Sequence, residues 1–355
     1  MRADRSPIRG RGAAGNPANR FERISYVPDP ECTDPEDPAP ETQFLTDTSR
    51  SIIAYNDSPD VGFDASLNPY RGCEHGCIYC YARPTHEYLG FSAGLDFETK
   101  ILVKEDAPDL LRGELASARW NPQVVAISGV TDPYQPVERR LMLTRRCLEV
   151  FLEFRNPVAL VTKNFLVTRD LDLLAELARY DAASVTLSVT TLDGDLSRIM
   201  EPRTSHPNRR LAAVEALAQE GVPVGVLVAP VIPGLTDHEI PAILTAVARA
   251  GASFAGYTPV RLPHAVASLF EEWLTRHYPD KKEKVLNRIR AIRGGKLNDS
   301  RFGSRMQGEG IFAEQIAELF SLACRKAGLS EEGPDLSTAA FRRPSGPQLP
   351  LFGSA

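Results

Sequence analysis

Nowhere in the 355 residues is there an unbroken apolar run of about 18 residues, the length that a membrane-spanning helix requires. The N-terminal segment MRADRSPIRGRGAAGNPANRF lacks the apolar stretch of a secretory signal, so no membrane partner is expected and the compartment is read as cytoplasmic. Cysteine is scarce: six in the whole chain are too few for a disulfide scaffold. A surplus of positive charge is missing too. With 41 Lys and Arg against 46 Asp and Glu the net charge is -5, which excludes a protein that coats nucleic acid by bulk electrostatics and confines any such contact to a local patch.

What is present begins with an arm, residues 1–45, rich in Arg, Pro, Asp and Glu and poor in apolar periodicity; it is expected to be extended and disordered, without a core. From about residue 124 short β-branched runs alternate with longer amphipathic segments, the pattern of βα units that build a parallel sheet. Strands are predicted at 124–127, 158–161, 184–189, 222–228 and 254–259, and a sixth where Leu67-Asn68-Pro69-Tyr70 leads into a cysteine-rich loop. Between them, Leu171, Leu173, Leu174, Leu177 and Ala178 form one apolar helical stripe, and Leu211, Val214, Leu217 and Ala218 another. The class is therefore α/β. Six units are too few for a closed eight-stranded barrel and suit a partial (β/α)6 TIM-like barrel over residues 46–263, with the active site at the carboxyl ends of the strands. A helical C-terminal extension follows over 264–330, then a flexible tail over 331–355. Within the extension, nine cationic side chains between Lys281 and Arg305 face only Glu283 and Asp299, a pattern open to reading as a solvated helix face or a nucleic-acid patch.

Three of the six cysteines crowd into Gly72-Cys73-Glu74-His75-Gly76-Cys77-Ile78-Tyr79-Cys80-Tyr81. A cubane iron–sulfur cluster held by three thiolates keeps one iron open to a substrate or cosubstrate, so the trio suits chemistry better than plain electron transfer. The competing reading is a zinc- or cluster-stabilised binding protein without catalysis. It would recruit His75 or His86 as a fourth ligand, but no second C-x-x-C is present to pair with the first. Cys147 and Cys324 fall in apolar helical patterns and read as buried small hydrophobes, and Cys32 lies in the polar arm.

The spacing C-x3-C-x2-C, with an aromatic residue just before the third cysteine, resembles the signature of the radical S-adenosylmethionine (radical SAM) superfamily. NPYRGCEHGCIYCYARPTHEY, SGVTDPYQPVE, TKN, SVTTLD followed by EPR, and APVIPGLTD resemble, within it, an uncharacterised bacterial subgroup related to spore photoproduct lyase; the likeness runs over about residues 45–315. It implies a 4Fe-4S cluster on Cys73, Cys77 and Cys80. S-adenosyl-L-methionine would chelate the fourth iron and be cleaved reductively to a 5'-deoxyadenosyl radical, with an electron donor such as flavodoxin or ferredoxin as partner. Superfamily members usually bind the methionine amino group with a Gly-Gly-Glu segment; here Ser128-Gly129-Val130-Thr131-Asp132 stands in that place, and Thr131 or Asp132 can offer the oxygen acceptor. Lys163 resembles the Thr-Lys segment that the lyase group uses near the cosubstrate, Ser188 can bond the ribose hydroxyls, and Arg203 is a further candidate.

For the substrate, nucleic acid is the favoured class, in a repair or base-modification reaction; a peptide or small metabolite is the alternative. No cysteine matches the hydrogen donor of the lyase. Tyr79, Tyr81, Tyr88, Tyr134 and Tyr257 are candidate radical relays or base-stacking groups. In the tail, Gln348, Leu349, Leu351 and Phe352 resemble the pentapeptide by which bacterial replication and repair proteins dock on the sliding clamp, with Pro350 in place of the usual Ser or Asp.

Overall fold

The computed structural model describes residues 8–22 and 40–344. Ten strands run in order: β1 (Gln43–Thr46), β2 (Ile53–Tyr55), β3 (Ala65–Leu67), β4 (Tyr70–Arg71), β5 (Lys100–Val103), β6 (Val125–Ile127), β7 (Val158–Thr162), β8 (Ala183–Ser188), β9 (Val224–Val231) and β10 (Phe254–Pro259). Six of them, β3, β6, β7, β8, β9 and β10, pair side by side in parallel, and β2 closes one edge antiparallel to β3. The two ends of this order, β10 and β2, do not pair among the described residues, so the barrel stays open. Strands covered on both faces read as continuous β-branched runs, which is why 124–127, 158–161 and 254–259 were legible to within a residue. The helices Leu143–Phe154, Leu171–Ala178, Pro207–Gln219 and Ile240–Arg249 return along the outside and bury Cys147, Leu148, Leu174, Leu177, Val214, Leu217, Ile243 and Val247 against the sheet.

The sixth strand is shorter than its sequence suggests. Pro69, which has no N–H to give a ladder, ends β3, and Tyr70–Arg71 turns away into a second sheet of order β1-β5-β4 that periodicity did not reveal. There the Tyr70 hydroxyl donates to Glu138 Oε2 at 2.5 Å.

The N-terminal arm is corrected in part. Ala13 is 1% exposed, the backbone N–H groups of Gly12 and Ala13 donate to Glu98, and β1 pairs in parallel with β5. A stretch without apolar periodicity is thus held through backbone donors, which carry no compositional signal. At the other end, the helices Ala265–His277, Pro279–Ala291 and Ile311–Ala327 occupy the extension, and residues 331–344 pack on the body rather than standing free: Arg342 N donates to the Phe154 carbonyl at 2.9 Å and the Phe341 and Phe154 rings lie 6.4 Å apart. Cys32 and the tail pentapeptide Gln348–Phe352 lie outside the described residues.

The basic stretch is not one patch. Arg293 is buried and donates to the carbonyls of Pro259, Val260, Ser304 and Arg305; Lys282 pairs with Glu271, Arg288 with Asp237, Arg301 with Asp299 and Glu309, and Arg305 with Asp60. Four of the nine cations thus meet a carboxylate, and a fifth, Arg293, is buried on carbonyls, so the run is not a contiguous exposed charge. No helix among the described residues is long and apolar enough to cross a membrane.

Candidate active site

The cysteine loop leaves β4 and is shaped by two glycines that no other residue replaces without strain. Gly72 (φ +80°) and Gly76 (φ +68°) adopt left-handed backbone, and a Cβ on Gly76 would stand 2.7 Å from Glu98 Oε2. Beneath the loop lies Arg83, wholly buried. Its guanidinium donates to the carbonyls of Cys77 (2.9 Å), Gly76 (3.1 Å), Ala93 (3.2 Å) and Gly94 (3.0 Å) and pairs with Glu98 at 2.5 Å. Glu98 in turn accepts from the arm residues Gly12 and Ala13. A buried ion pair is tolerable only when its remaining donors and acceptors are satisfied, and here they are.

Cys73 packs with Cys80, Ala82 and Phe97, while Cys77 and Cys80 border the apolar group that contains Tyr79, Met200, Ile232 and Leu235; Cys80 thus joins the two groups, and the three thiols are near enough to act on one another's ionisation. All three are free. Burial pushes the Cys77 thiol well up and Glu201 adds to this, while Lys163 draws it down; burial raises Cys80 against the pull of Arg83. Three neighbouring thiols on one loop in apolar surroundings, with Lys163 and Arg83 near enough to stabilise thiolates, fit a cuboidal cluster. They fit zinc poorly. Among the described residues no three His, Cys, Asp or Glu side chains converge on a point that one ion could fill, and the two imidazoles already have partners, His75 lying against Cys73 as well as Asp132. His75 pairs through Nδ1 with Asp132 at 3.3 Å and through Nε2 with Asn164 at 3.3 Å; His86 Nε2 meets the Lys100 carbonyl at 2.9 Å, its ring against Phe91 and Phe97.

The residues singled out at the strand ends divide into two groups. Thr131, Asp132 and Arg203 are committed to holding the loop. The Thr131 hydroxyl donates to the Gly72 carbonyl at 2.8 Å. Asp132 accepts from Thr162 Oγ1 (2.7 Å), Tyr134 N (2.9 Å) and Lys163 N (2.8 Å) besides His75, and so ties the ends of β6 and β7 to the cysteine loop. Arg203 pairs with Glu74 at 3.1 Å, and its N–H donates to the His75 carbonyl. Lys163 and Ser188 are the looser pair. The Lys163 ammonium makes a 3.4 Å contact to the Ala229 carbonyl and lies 6.0 Å from the Tyr79 ring centroid. The Ser188 hydroxyl has no hydrogen-bond partner among the described residues, although its carbonyl accepts from Arg210.

Four groups that sequence reasoning passed over complete the site. Gln135, fully buried, accepts from Glu74 N at 2.9 Å and donates to the Gly72 carbonyl and the Thr131 hydroxyl. Glu201, buried beside the pocket, accepts from the Tyr79 hydroxyl, from Thr190 Oγ1 at 2.7 Å, and from Arg210, which is itself wholly buried. Glu201 sits in the same Glu-Pro-Arg triplet as Arg203, and that short motif was the available signal. Of the five tyrosines, Tyr79 and Tyr81 flank the third cysteine; the Tyr81 hydroxyl donates to the Gly129 carbonyl at 2.7 Å and Arg261 lies over its ring at 4.7 Å. Tyr134 bonds Asp170, Tyr257 packs on Phe320 and Tyr88 on Phe21, all away from the thiols.

Comparison with known proteins agrees with this geometry. Residues 67–247 match the family model described as the Radical SAM superfamily. An uncharacterised protein of Mycobacterium tuberculosis and one of Mycobacterium bovis are each 39% identical over 220 residues; the match takes in 61% of this chain and 65% of each relative, so the chain spans just under two thirds of their length. A radical SAM Nalpha-GlyT isomerase of Pseudomonas phage M6 is 27% identical over 173 residues, 48% of this chain and 34% of that protein. Among solved structures, spore photoproduct lyase complexed with dinucleoside spore photoproduct superposes with a TM-score of 0.59 at 16% identity, over 81% of both chains, a likeness of fold.

Proposed function

This chain belongs to the radical SAM superfamily, and we propose that it is an enzyme that holds a 4Fe-4S cluster on Cys73, Cys77 and Cys80 and cleaves S-adenosylmethionine to act on nucleic acid. The observation that carries this reading is the grouping of three free thiols on one loop that follows the β3 strand of the parallel sheet. Held by Cys73, Cys77 and Cys80, such a cluster would supply an electron, drawn from a flavodoxin- or ferredoxin-type donor, for reductive cleavage of the sulfonium to methionine and a 5'-deoxyadenosyl radical able to abstract a hydrogen atom.

The chain's own residues bind, orient and exclude water. Lys163 has its ammonium loosely held beside Cys77 and Glu201, and pairs there with the cosubstrate carboxylate. Ser188 offers a free hydroxyl to the ribose. Thr131, Asp132 and Arg203 act one step back, keeping the cysteine loop in register with the strand ends, so the methionine ammonium is left to groups outside this trio. Tyr79, Ile232 and Leu235 line the pocket with apolar surface that keeps water from the radical.

The likeness of fold to a lyase complexed with dinucleoside spore photoproduct supports a nucleic-acid substrate. Return of hydrogen from a cysteine of this chain has no support among the described residues: Cys147 and Cys324 are fully buried, each within a helix. The test is anaerobic reconstitution with iron and sulfide, followed by dithionite and S-adenosylmethionine. Iron filling and 5'-deoxyadenosine release are expected from the native chain, and neither from a variant with alanine at all three cysteines. Adenosyl release that survives the triple substitution would overturn the reading.

A further inference from the structure

Next to the carboxyl end of β9, the loop that follows it, the helix Pro279–Ala291 and the helix Ile311–Ala327 enclose a cleft of about 420 Å³ that the site described above does not use. One wall carries Lys281, Lys284 and Arg288, which the helical repeat places on successive turns of a single face. Arg288 is held by Asp237 at 3.3 Å and lies 5.2 Å from the centroid of the Phe312 ring. Lys281 and Lys284 have no carboxylate within ion-pair distance among the described residues, whereas their neighbour Lys282 turns away to Glu271. Asp237 is the one carboxylate that lines the cleft, so three cations there meet a single anion. The opposite wall is Phe312, 38% exposed, with Gln315 and Leu319.

We propose that this cleft binds a single nucleic-acid strand, with Lys281 and Lys284 on its phosphates and Phe312 stacking a base. This rests on the nucleic-acid reading of the substrate and deepens it by naming where the strand is held. Two ammonium groups without a carboxylate partner, that of Lys281 5.7 Å from the Tyr278 ring centroid, across from an exposed aromatic ring with a guanidinium on it are the elements by which single strands are held without regard to sequence: charge along the backbone, a π-face for a base. An acidic peptide would use the lysines and leave the ring idle. The loop that floors the cleft also packs into the apolar core on whose edge Cys77 lies. Pro233 and Gly234 line the cleft, while Ile232 and Leu235, beside them in the chain, pack in the apolar group that contains Cys77 and Tyr79. A strand seated here therefore lies against a loop that is continuous with the core bordering Cys77. The approach is close: a Cβ on Gly234 (φ +83°) would stand 3.2 Å from Arg288 Cδ.

The experiment is fluorescence anisotropy of a labelled oligothymidylate with the full, anaerobically purified chain across a salt series. It compares the native protein, a Lys281→Gln/Lys284→Gln variant and a Phe312→Ala variant, with circular dichroism melts to show that each is folded. For the native chain, affinity should fall with salt. The lysine variant should bind about tenfold more weakly and lose roughly 1.4 from the slope of log affinity against log salt, the contribution of two single-strand phosphate contacts. Phe312→Ala should weaken binding with the slope unchanged. If the native chain binds and the folded lysine variant keeps its slope, the cleft is not the site. If polyglutamate displaces the strand at equal charge, the cleft takes acidic polymers in general and the proposal falls. If the native chain binds no strand at low salt while still releasing 5'-deoxyadenosine, the nucleic-acid reading fails with it and the cluster chemistry stands.

Discussion

Arg83 and Glu98 form an ion pair at 2.5 Å with both side chains wholly buried, and between them they hold the carbonyls of Gly76 and Cys77 and the N–H groups of Gly12 and Ala13. Loop, arm and second sheet meet at this one pair. Removing one partner of such a pair leaves the other charged and buried, at a cost of about 3–5 kcal/mol. Glu98→Gln should therefore lower the urea midpoint sharply and reduce the iron retained per chain. Iron content equal to the native chain's would show that the pair is not what shapes the loop.

The arm's docking can be tested separately. A Cβ on Gly12 would fall 1.7 Å from the Gly76 carbonyl oxygen, a distance no local adjustment absorbs. Gly12→Ala should release the arm, seen as faster tryptic cleavage at Arg11 and Arg20 with the body of the chain intact. Cleavage at the native rate would mean that the arm is not held here.

Lys163 should matter for cosubstrate binding rather than for folding. Its ammonium forms no ion pair among the described residues, and Glu201, which it helps to keep ionised, retains Arg210, so Lys163→Met strands no buried charge. A charge-assisted hydrogen bond is worth about 1.5–3 kcal/mol, so the dissociation constant for S-adenosylmethionine should rise roughly ten- to a hundredfold, measured by calorimetry on the reconstituted protein. An unchanged constant would remove Lys163 from the cosubstrate site.

Glu201 predicts an acid-side signature. Burial pushes its carboxyl up, but Arg210 and Lys163, with hydrogen bonds from Tyr79 and Thr190, pull it down further, to about 2. A carboxyl whose folded pKa is depressed contributes stability that is complete above its unfolded value, about 4.3, and is lost as pH falls through the folded one. The contribution is on the order of 3 kcal/mol. Urea midpoints of the native chain should decline between about pH 4.3 and 2 more steeply than those of Glu201→Gln; parallel slopes would show that the carboxyl is not ionised as described.

For the tail, Leu351→Ala with Phe352→Ala should abolish capture of the chain by immobilised bacterial sliding clamp, if the pentapeptide docks there as its sequence suggests. Capture that persists in the double variant would dismiss it.

Sequence alone determined those features in which the information is local. The spacing of Cys73, Cys77 and Cys80 puts three thiols in one loop whatever surrounds it, and β-branched runs such as Val158–Thr162 form strands because their own side chains favour that backbone. Local spacing also made the succession of strand and helix readable, and with it the open parallel barrel. Tertiary structure decided whatever depends on an approach between residues distant in the chain. In sequence, Arg83, Arg210 and Arg293 look like any surface arginine, and Glu98 and Glu201 like any surface carboxylate. Folding brings Glu201 to Tyr79, Glu74 to Gln135 and Asp60 to Arg305, across separations that periodicity does not encode. The same approach broke the basic run from Lys281 to Arg305 into paired and unpaired cations, because whether a charge is free depends on what the fold sets opposite it.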